Sequence, residues 1–354
     1  MKARRYAILA AVAVALLLLA WLLWPARWKS NSAATNSGQS GHVPTAQDAD
    51  AAANAETTTV YAHNLELRKG PDFRIYVRWL RGEMVPTVKG KVPSLDDDRS
   101  FIFHVDRGLV LANLGDIDTY LNAKLAPQSP LKSMKVRGEG DKVKLSGVLH
   151  KMLVPLPVEV EGTLSPATNE RIHFAITKIN VLKMPVKGLL GGFKVDATDI
   201  MGKTPMDGVE MNGNDIYFDT TKLLPPPHVR GQISRIELHL PDIVVTYGST
   251  TPEDEAELAR WHNFLRMRGG TVSFGKMVMS KADITLIDVS DDAWFDLDLA
   301  NYRKQMVKGY SHTTPEDGIE MYMPDVDKGM PAGSLSIDTL RDRNKPLPDP
   351  TPKK

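Results

Sequence analysis

The residue types that could do chemistry are thinly spread along this chain of 354 residues. Its nine histidines stand at 42, 63, 104, 150, 173, 228, 239, 262 and 312, and none makes an HExxH, an HxH or a comparable ligand pair. There is no GxSxG nucleophile elbow and no P-loop, and Gly188, Gly191 and Gly192 do not form a GxGxxG turn. Asp116 and Asp118 have the spacing of a phosphatase aspartate pair. That motif needs a preceding buried strand and a threonine in the right place, whereas Asp118 is followed directly by Thr119 and the context is a helix start, where the helix dipole favours carboxylates. The run Asp96, Asp97, Asp98 reads as a solvated loop rather than a calcium site. Asp288, Asp291, Asp292, Asp296 and Asp298 lack the glycine and terminal glutamate of an EF-hand loop, and read as helix capping and surface charge. The chain has no cysteine, which excludes disulfides, thiol chemistry and lipoprotein processing. With 44 basic and 43 acidic residues, no global field draws nucleic acid. These residues point to no cofactor, no metal and no enzyme, although a triad assembled from distant positions leaves no local signature.

What the chain does carry is apolar surface in strand patterns. They run at 58–68, 72–80, 100–106, 133–137, 142–149, 156–164, 170–182, 208–219, 231–239, 242–247, 270–279 and 282–288. Val143, Leu145 and Leu149 share one face while Lys142 and Lys144 take the other; Val158, Val160 and Leu164 alternate with Glu159, Glu161 and Thr163. Such period-2 patterns mean sheets with one covered and one wet face. Ile172, Phe174 and Ile176 then give way to Ile179 and Val181, a change of parity that predicts a bulge. Two helices interrupt the strands. One spans 114–125, with Leu114, Ile117, Leu121 and Leu125 in a stripe; the other spans 186–201, behind Pro185. A short helix or tether is expected at 249–262 and a further helix at 292–308, carrying Trp294, Leu297 and Tyr302. Because consecutive elements pack side by side, Phe174, Ile176, Leu189, Leu190, Phe193 and Phe218 are expected to line one apolar space.

The N-terminus fixes the compartment. Residues 6–24, YAILAAVAVALLLLAWLLW, carry no charge and follow Lys2, Arg4 and Arg5. Nineteen helical residues just cross a hydrocarbon core of about 30 Å. The basic tail is expected in the cytoplasm and the bulk of the chain in the periplasm, anchored to the inner membrane by a single pass. Leu23, Trp24, Pro25 and Arg27 make poor neighbours for signal cleavage, and Trp21, Trp24 and Trp28 fit an interfacial belt. The Ala-, Ser- and Asn-rich stretch that follows cannot bury enough surface to fold and is a linker with a reach of roughly 30 Å. The organisation read here is a tail and anchor over 1–29, a linker over 30–56, a sheet domain over 57–248, an extension of strands and a helix over 249–325, and a disordered tail over 326–354.

The stretch DIDTYLNAKL at 116–125 resembles the helix that opens LmeA-like phospholipid-binding domains, of the tubular lipid-binding (TULIP) superfamily. The order that follows is also similar. ERIHFAITKINVL at 170–182 leads into the glycine-containing helix 186–201, and GVEMNGNDIYFDTTKLL at 208–224 forms a strand pair with a leucine turn. The likeness covers about 110–250, and RGGTVSFGKMVMSKADITLIDVS near 265–290 resembles repeats of AsmA-like envelope proteins. The resemblance implies a mainly β, α+β fold: a long curled antiparallel sheet packed on amphipathic helices around a dry groove for acyl chains. The expected function is binding, or transfer, of phospholipid or another hydrophobic ligand, with membrane lipid as the partner. The alternative is an envelope scaffold whose core is full and whose edges bind proteins; a continuous apolar cavity of several hundred Å³ separates the two.

The anchor makes a direct prediction. Residues 1–29 stay on the mature protein in the membrane fraction, and N-terminal sequencing of protein from intact cells checks it. A released form beginning near residue 30 is the contrary result.

Overall fold

The computed structural model describes residues 57–127, 129–151, 154–181, 195, 197–201, 207–259, 263–290 and 292–329. The span 6–24, the linker 30–56, most of the expected helix 186–201 and the tail beyond 329 lie outside the described residues. Among the described residues, no helix is long and apolar enough to cross a membrane.

The protein is mainly β, with large antiparallel sheets. Three long strands open it: β1 (Thr58–Arg68), β2 (Arg74–Pro86) and β3 (Phe101–Asn113). Helix α1 (Leu114–Tyr120) follows and continues as a π-helical turn over Leu121–Leu125. Then come β4 (Leu131–Glu139), β5 (Lys142–Lys151), β6 (Val154–Ala167) and β7 (Arg171–Val181), the short α2 (Ala197–Met201), and the hairpin β8 (Val209–Asn212) and β9 (Asp215–Phe218). After α3 (Thr220–Leu223), strands β10 (His228–Arg230), β11 (Ile233–His239) and β12 (Asp242–Tyr247) return to β3. The last third holds α4 (Pro252–Ala259), β13 (Phe264–Arg268), β14 (Thr271–Phe274), β15 (Met277–Ser280), β16 (Asp283–Asp288), β17 (Phe295–Leu297), α5 (Tyr302–Met306), β18 (Tyr310–Thr313) and β19 (Ile319–Met323).

These strands form two large sheets rather than one. The first runs β11-β12-β3-β2-β1-β13-β16-β19-β18, and the second β4-β5-β6-β7-β9-β8. The first is not wholly antiparallel: β1 with β17, β3 with β10 and β16 with β19 pair in parallel. Segment 264–323 adds strands directly to β1, through the antiparallel register Val60↔Met267 and Ala62↔Leu265.

The expected helix at 292–308 is replaced by β17 and the short α5. The reason is the period. Phe295, Leu297 and Leu299 alternate with Asp296 and Asp298, and all three apolar side chains are fully buried, whereas Trp294 packs at the surface against Tyr76. Asp296 meets the Arg68 guanidinium through two bonds of 2.7 Å, which fixes β17 beside β1.

Two acidic readings also change. Asp96 is not simply solvated: it accepts from Tyr302 Oη at 2.6 Å and pairs with Arg303 at 2.7 Å. Asp288 is fully buried, accepting from Asn263 Nδ2 at 3.0 Å and from the Ser290 backbone and hydroxyl, and burial pushes its carboxyl up to about 6. Asp298 shapes the turn before α5 rather than capping it: it accepts from the Ala300 N–H, while Asn301 at the N-cap makes no side-chain capping bond.

The bulge expected where parity changes in β7 is present. Glu161 pairs with Lys178 but Gly162 with Ile176, so Thr177 is the extra residue. It puts Phe174 and Ile176 on the buried face of the second sheet and returns Ile179 to that face.

Helix α1 is joined to the second sheet by polar side chains. Asn113 caps it, accepting from Gly115 N at 2.9 Å. The Asp118 carboxylate accepts the Val136 N–H. Asn122 donates to Met134 O at 2.7 Å and accepts from Met134 N at 2.9 Å. This bracket falls where the β4–β5 register slips, between Lys132 and Lys135, so the Asn122 amide substitutes for a missing strand partner.

Replacing Asn122 by Ala leaves both Met134 groups unsatisfied. We expect a loss of about 1–3 kcal/mol, read by denaturant unfolding. Asn122→Asp, which keeps an acceptor and loses the donor, should be destabilised as well.

Candidate functional site

The apolar faces of the two sheets do not close completely on each other. Between them lies a cavity of about 330 Å³. From the first sheet Ile75, Val110, Ile243 and Val245 line it; from the second Val143, Val160, Phe174 and Ile216 do; and Ile117 and Tyr120 of α1 form part of its wall. Almost every lining group is aliphatic or aromatic. Leu145 and Val160 sit opposite each other in the β5–β6 register, as do Leu164 and Phe174 in β6–β7, which produces the continuous apolar wall.

Of the residues expected to share one apolar space, Phe174, Ile176 and Phe218 all line this cavity. Leu189, Leu190 and Phe193 lie outside the described residues. Gly162 makes room for the Phe174 ring: a Cβ there would come within 2.6 Å of two ring carbons and 2.5 Å of the Ala175 carbonyl oxygen.

Sequence reasoning missed the polar corner of the cavity. Lys69, in the turn between β1 and β2, lines the cavity and is 2% exposed. Its amine donates to the carbonyl oxygen of Pro227. Burial pushes its pKa down to about 7, against a smaller opposing pull from Asp98. His228, next to Pro227, lines the same corner; burial first and Lys69 second lower its pKa. Nothing local marks Lys69 in the sequence, where a lysine before Gly70 and Pro71 reads as an ordinary turn residue. The fold alone brings segment 225–228 over it.

A second constellation assembles from distant residues. Ser165 Oγ lies 3.1 Å from His173 Nδ1, and His173 Nε2 lies 2.7 Å from Asp215 Oδ1. These are the residue types of a hydrolytic relay. They alternate with Leu164, Ile172, Phe174 and Ile216, which line the cavity, and so stand on the opposite, wet face of the second sheet. The His173 ring stacks on Tyr217 at 4.8 Å, and Arg171 covers that ring at 5.2 Å. This is a cross-strand polar cluster on an open sheet face, with Asp215 about half exposed. Among the described residues, no group of His, Cys, Asp and Glu is placed to hold a metal ion.

Lys69 makes a prediction with a defined sign. The unfolded lysine holds its proton to about 10.5 and the folded one only to about 7. Between those values the unfolded state binds more protons, so this group's penalty grows as pH falls from 10.5 to 7 and is constant below. Lys69→Met should therefore be more stable than the parent at pH 7. Its advantage should shrink by about 1.4 kcal/mol per pH unit on raising the pH toward 10. Urea unfolding of both proteins across that range checks it; parallel curves would contradict a buried, depressed amine.

Comparison of the chain with protein-family models, with curated proteins and with solved structures finds no match.

Proposed function

We propose that this chain is a non-catalytic, membrane-anchored periplasmic protein that binds, and can pass on, phospholipid or another hydrophobic ligand between its two sheets. The observation that carries this reading is the cavity: about 330 Å³, partly open and lined by aliphatic and aromatic side chains, between two packed cores. Its volume falls within the range of ligand sites, roughly 300–1,000 Å³. Each methylene moved from water into such a space contributes about 0.8 kcal/mol, so binding needs apolar area and little special chemistry.

The rest of the reading fits this. The likeness to LmeA-like domains implies one curled sheet around helices; this chain instead sets two sheets face to face, and the residues of that likeness, 116–125, span α1 and the π-helical turn at the cavity wall. The charge-free span 6–24 and the linker would hold the binding domain within reach of a bilayer. An envelope scaffold with a filled core is the competing reading, and an unfilled volume of this size weighs against it.

Native mass spectrometry of the fragment 57–329 is the test. We expect a co-purified lipid adduct, diminished in Leu145→Trp, where the indole occupies part of the cavity while Leu145 itself is only half-buried. An adduct-free protein that also fails to enhance the fluorescence of an apolar dye would favour the scaffold.

A further inference from the structure

One corner of the cavity is built differently from the rest. Among the described residues, Pro227 O is the single acceptor of the Lys69 amine, so two of its three N–H bonds are uncommitted. His228 Nδ1 is buried with no hydrogen-bond partner. Both side chains face the cavity. Tyr120 and Thr220 stand at the same corner: the Tyr120 hydroxyl donates to Leu223 O at the end of α3, and α3 packs on β10. Folded proteins rarely leave buried polar atoms unpaired, and such an atom at the wall of an apolar cavity marks a place where a ligand can complete the bonding.

We propose that this corner is a headgroup site and that the cavity takes a single-chain fatty carboxylate. The carboxylate oxygens would accept from the Lys69 amine and from His228 Nδ1–H, with the alkyl chain lying along the apolar wall. The inference rests on the lipid-binding reading above and gives it a ligand class.

Charge and volume select that class. The corner offers one full positive charge, because burial keeps His228 neutral near pH 7 while Lys69 can take up a proton. The other charged groups acting on these two side chains are Asp98 on both and Asp219 on His228, and both are acidic. A carboxylate brings one negative charge. A phosphate monoester brings about 1.5 to 2, leaving part of it uncompensated in a desolvated place. The volume suits one chain: a cavity of about 150 Å³ holds benzene, so this space, about twice as large, holds roughly a dozen carbons. Since the free amine is only half protonated near pH 7, an incoming carboxylate draws a proton into the site. Binding should therefore weaken as pH rises above 7, by up to tenfold per unit.

The test uses the full chain in phosphatidylcholine vesicles, photolabelled with a diazirine-bearing dodecanoate, with labelled peptides identified by mass spectrometry. Dodecanoate, dodecanol and dodecyl phosphate compete for the site. We expect label on the cavity-lining strands, with dodecanoate competing at least tenfold better than dodecanol and better than dodecyl phosphate. The advantage over dodecanol should shrink between pH 7 and 9. Lys69→Met keeps the aliphatic stem, and should bring dodecanoate level with dodecanol while a diazirine dodecanol still labels the same peptides. Equal competition by acid and alcohol in the parent chain would overturn the headgroup site without recourse to any variant. So would an acid preference that survives in Lys69→Met. Better competition by dodecyl phosphate would overturn the carboxylate in favour of a phosphate. No cavity label from either the acid or the alcohol probe would instead remove the lipid-binding reading itself.

Discussion

The spacing between the two sheets is set by α1, and it is set by hydrogen bonds as much as by packing. On one side the helix is tied to the first sheet: Leu114 N donates to Pro241 O at 3.1 Å, and Asn113, its cap, donates to Asp242 Oδ1 at 2.8 Å. On the other side Asp118 and Asn122 bond the β4 backbone. Ile117 on the helix and Ile243 on β12 pack at the margins of both apolar cores, so the wedge is where the two meet. A directional bond tolerates a few tenths of an ångström, whereas an aliphatic contact can slide. The two sheets touch beside this wedge, Ile243 and Leu238 packing on the second core and Ile172 on the first, while the rest of their facing surfaces leave the volume between them open.

An open volume and a buried amine are both destabilising, and the fold carries them where the remainder can offset the loss. The larger core lies along β1, β13, β16, β17 and β19, where Leu67, Leu265, Ile284, Leu286, Phe295 and Leu297 are almost fully enclosed. That region closes with ion pairs of good geometry, Arg68 on Asp296 and Arg266 on Asp283, each bidentate. The chain thus divides its work within one body. One end of the long sheet supplies packing density, and the other meets the second sheet across a gap. Among the described residues, none of the late strands 264–323 lines the cavity; they extend the sheet beside it by pairing β13 with β1.

Much of this was legible from strand alternation. Strand β12 falls on the residues that the pattern marks, β5 and β6 lie close to them, and the parity change after Ile176 located the bulge at Thr177. Three of the six residues expected to share an apolar space do so, because alternation fixes the face of a strand wherever the strand is long. What alternation cannot carry is partnership. Two sheets were not distinguishable from one, since each strand shows only that one of its faces is covered. The parallel pairings of β17, β10 and β19 depend on chain returns with no local mark. The stretch at 292–308 misled because Trp294, Leu297 and Tyr302 fit a helical stripe, while Phe295, Leu297 and Leu299 fit a strand equally well; pairing with Leu65 and Leu67 decided it. Lys69 was hidden for the same reason, since its burial is created by segment 225–228, more than a hundred residues away.

The distribution of satisfied polar groups argues for where the chemistry of this molecule resides. On the wet face of the second sheet the reactive residue types are engaged with one another: Lys142 with Glu161 at 2.6 Å, His173 with Ser165 and Asp215, Arg171 with Glu210. Each has its partner across a strand or at a strand end, as expected for a solvated surface whose charges are paired for register and solubility. Among the described residues the inner face has few polar groups, and at the corner of Lys69 and His228 they are under-satisfied. A side chain with its partners in place can be explained by the fold alone. Lys69 cannot: a methionine would fill its place without a desolvated amine, and the neighbouring His228 Nδ1 would be no worse off. The fold bears the desolvation of that amine with Pro227 O as its acceptor, and the headgroup site proposed above would supply the interaction that offsets the rest.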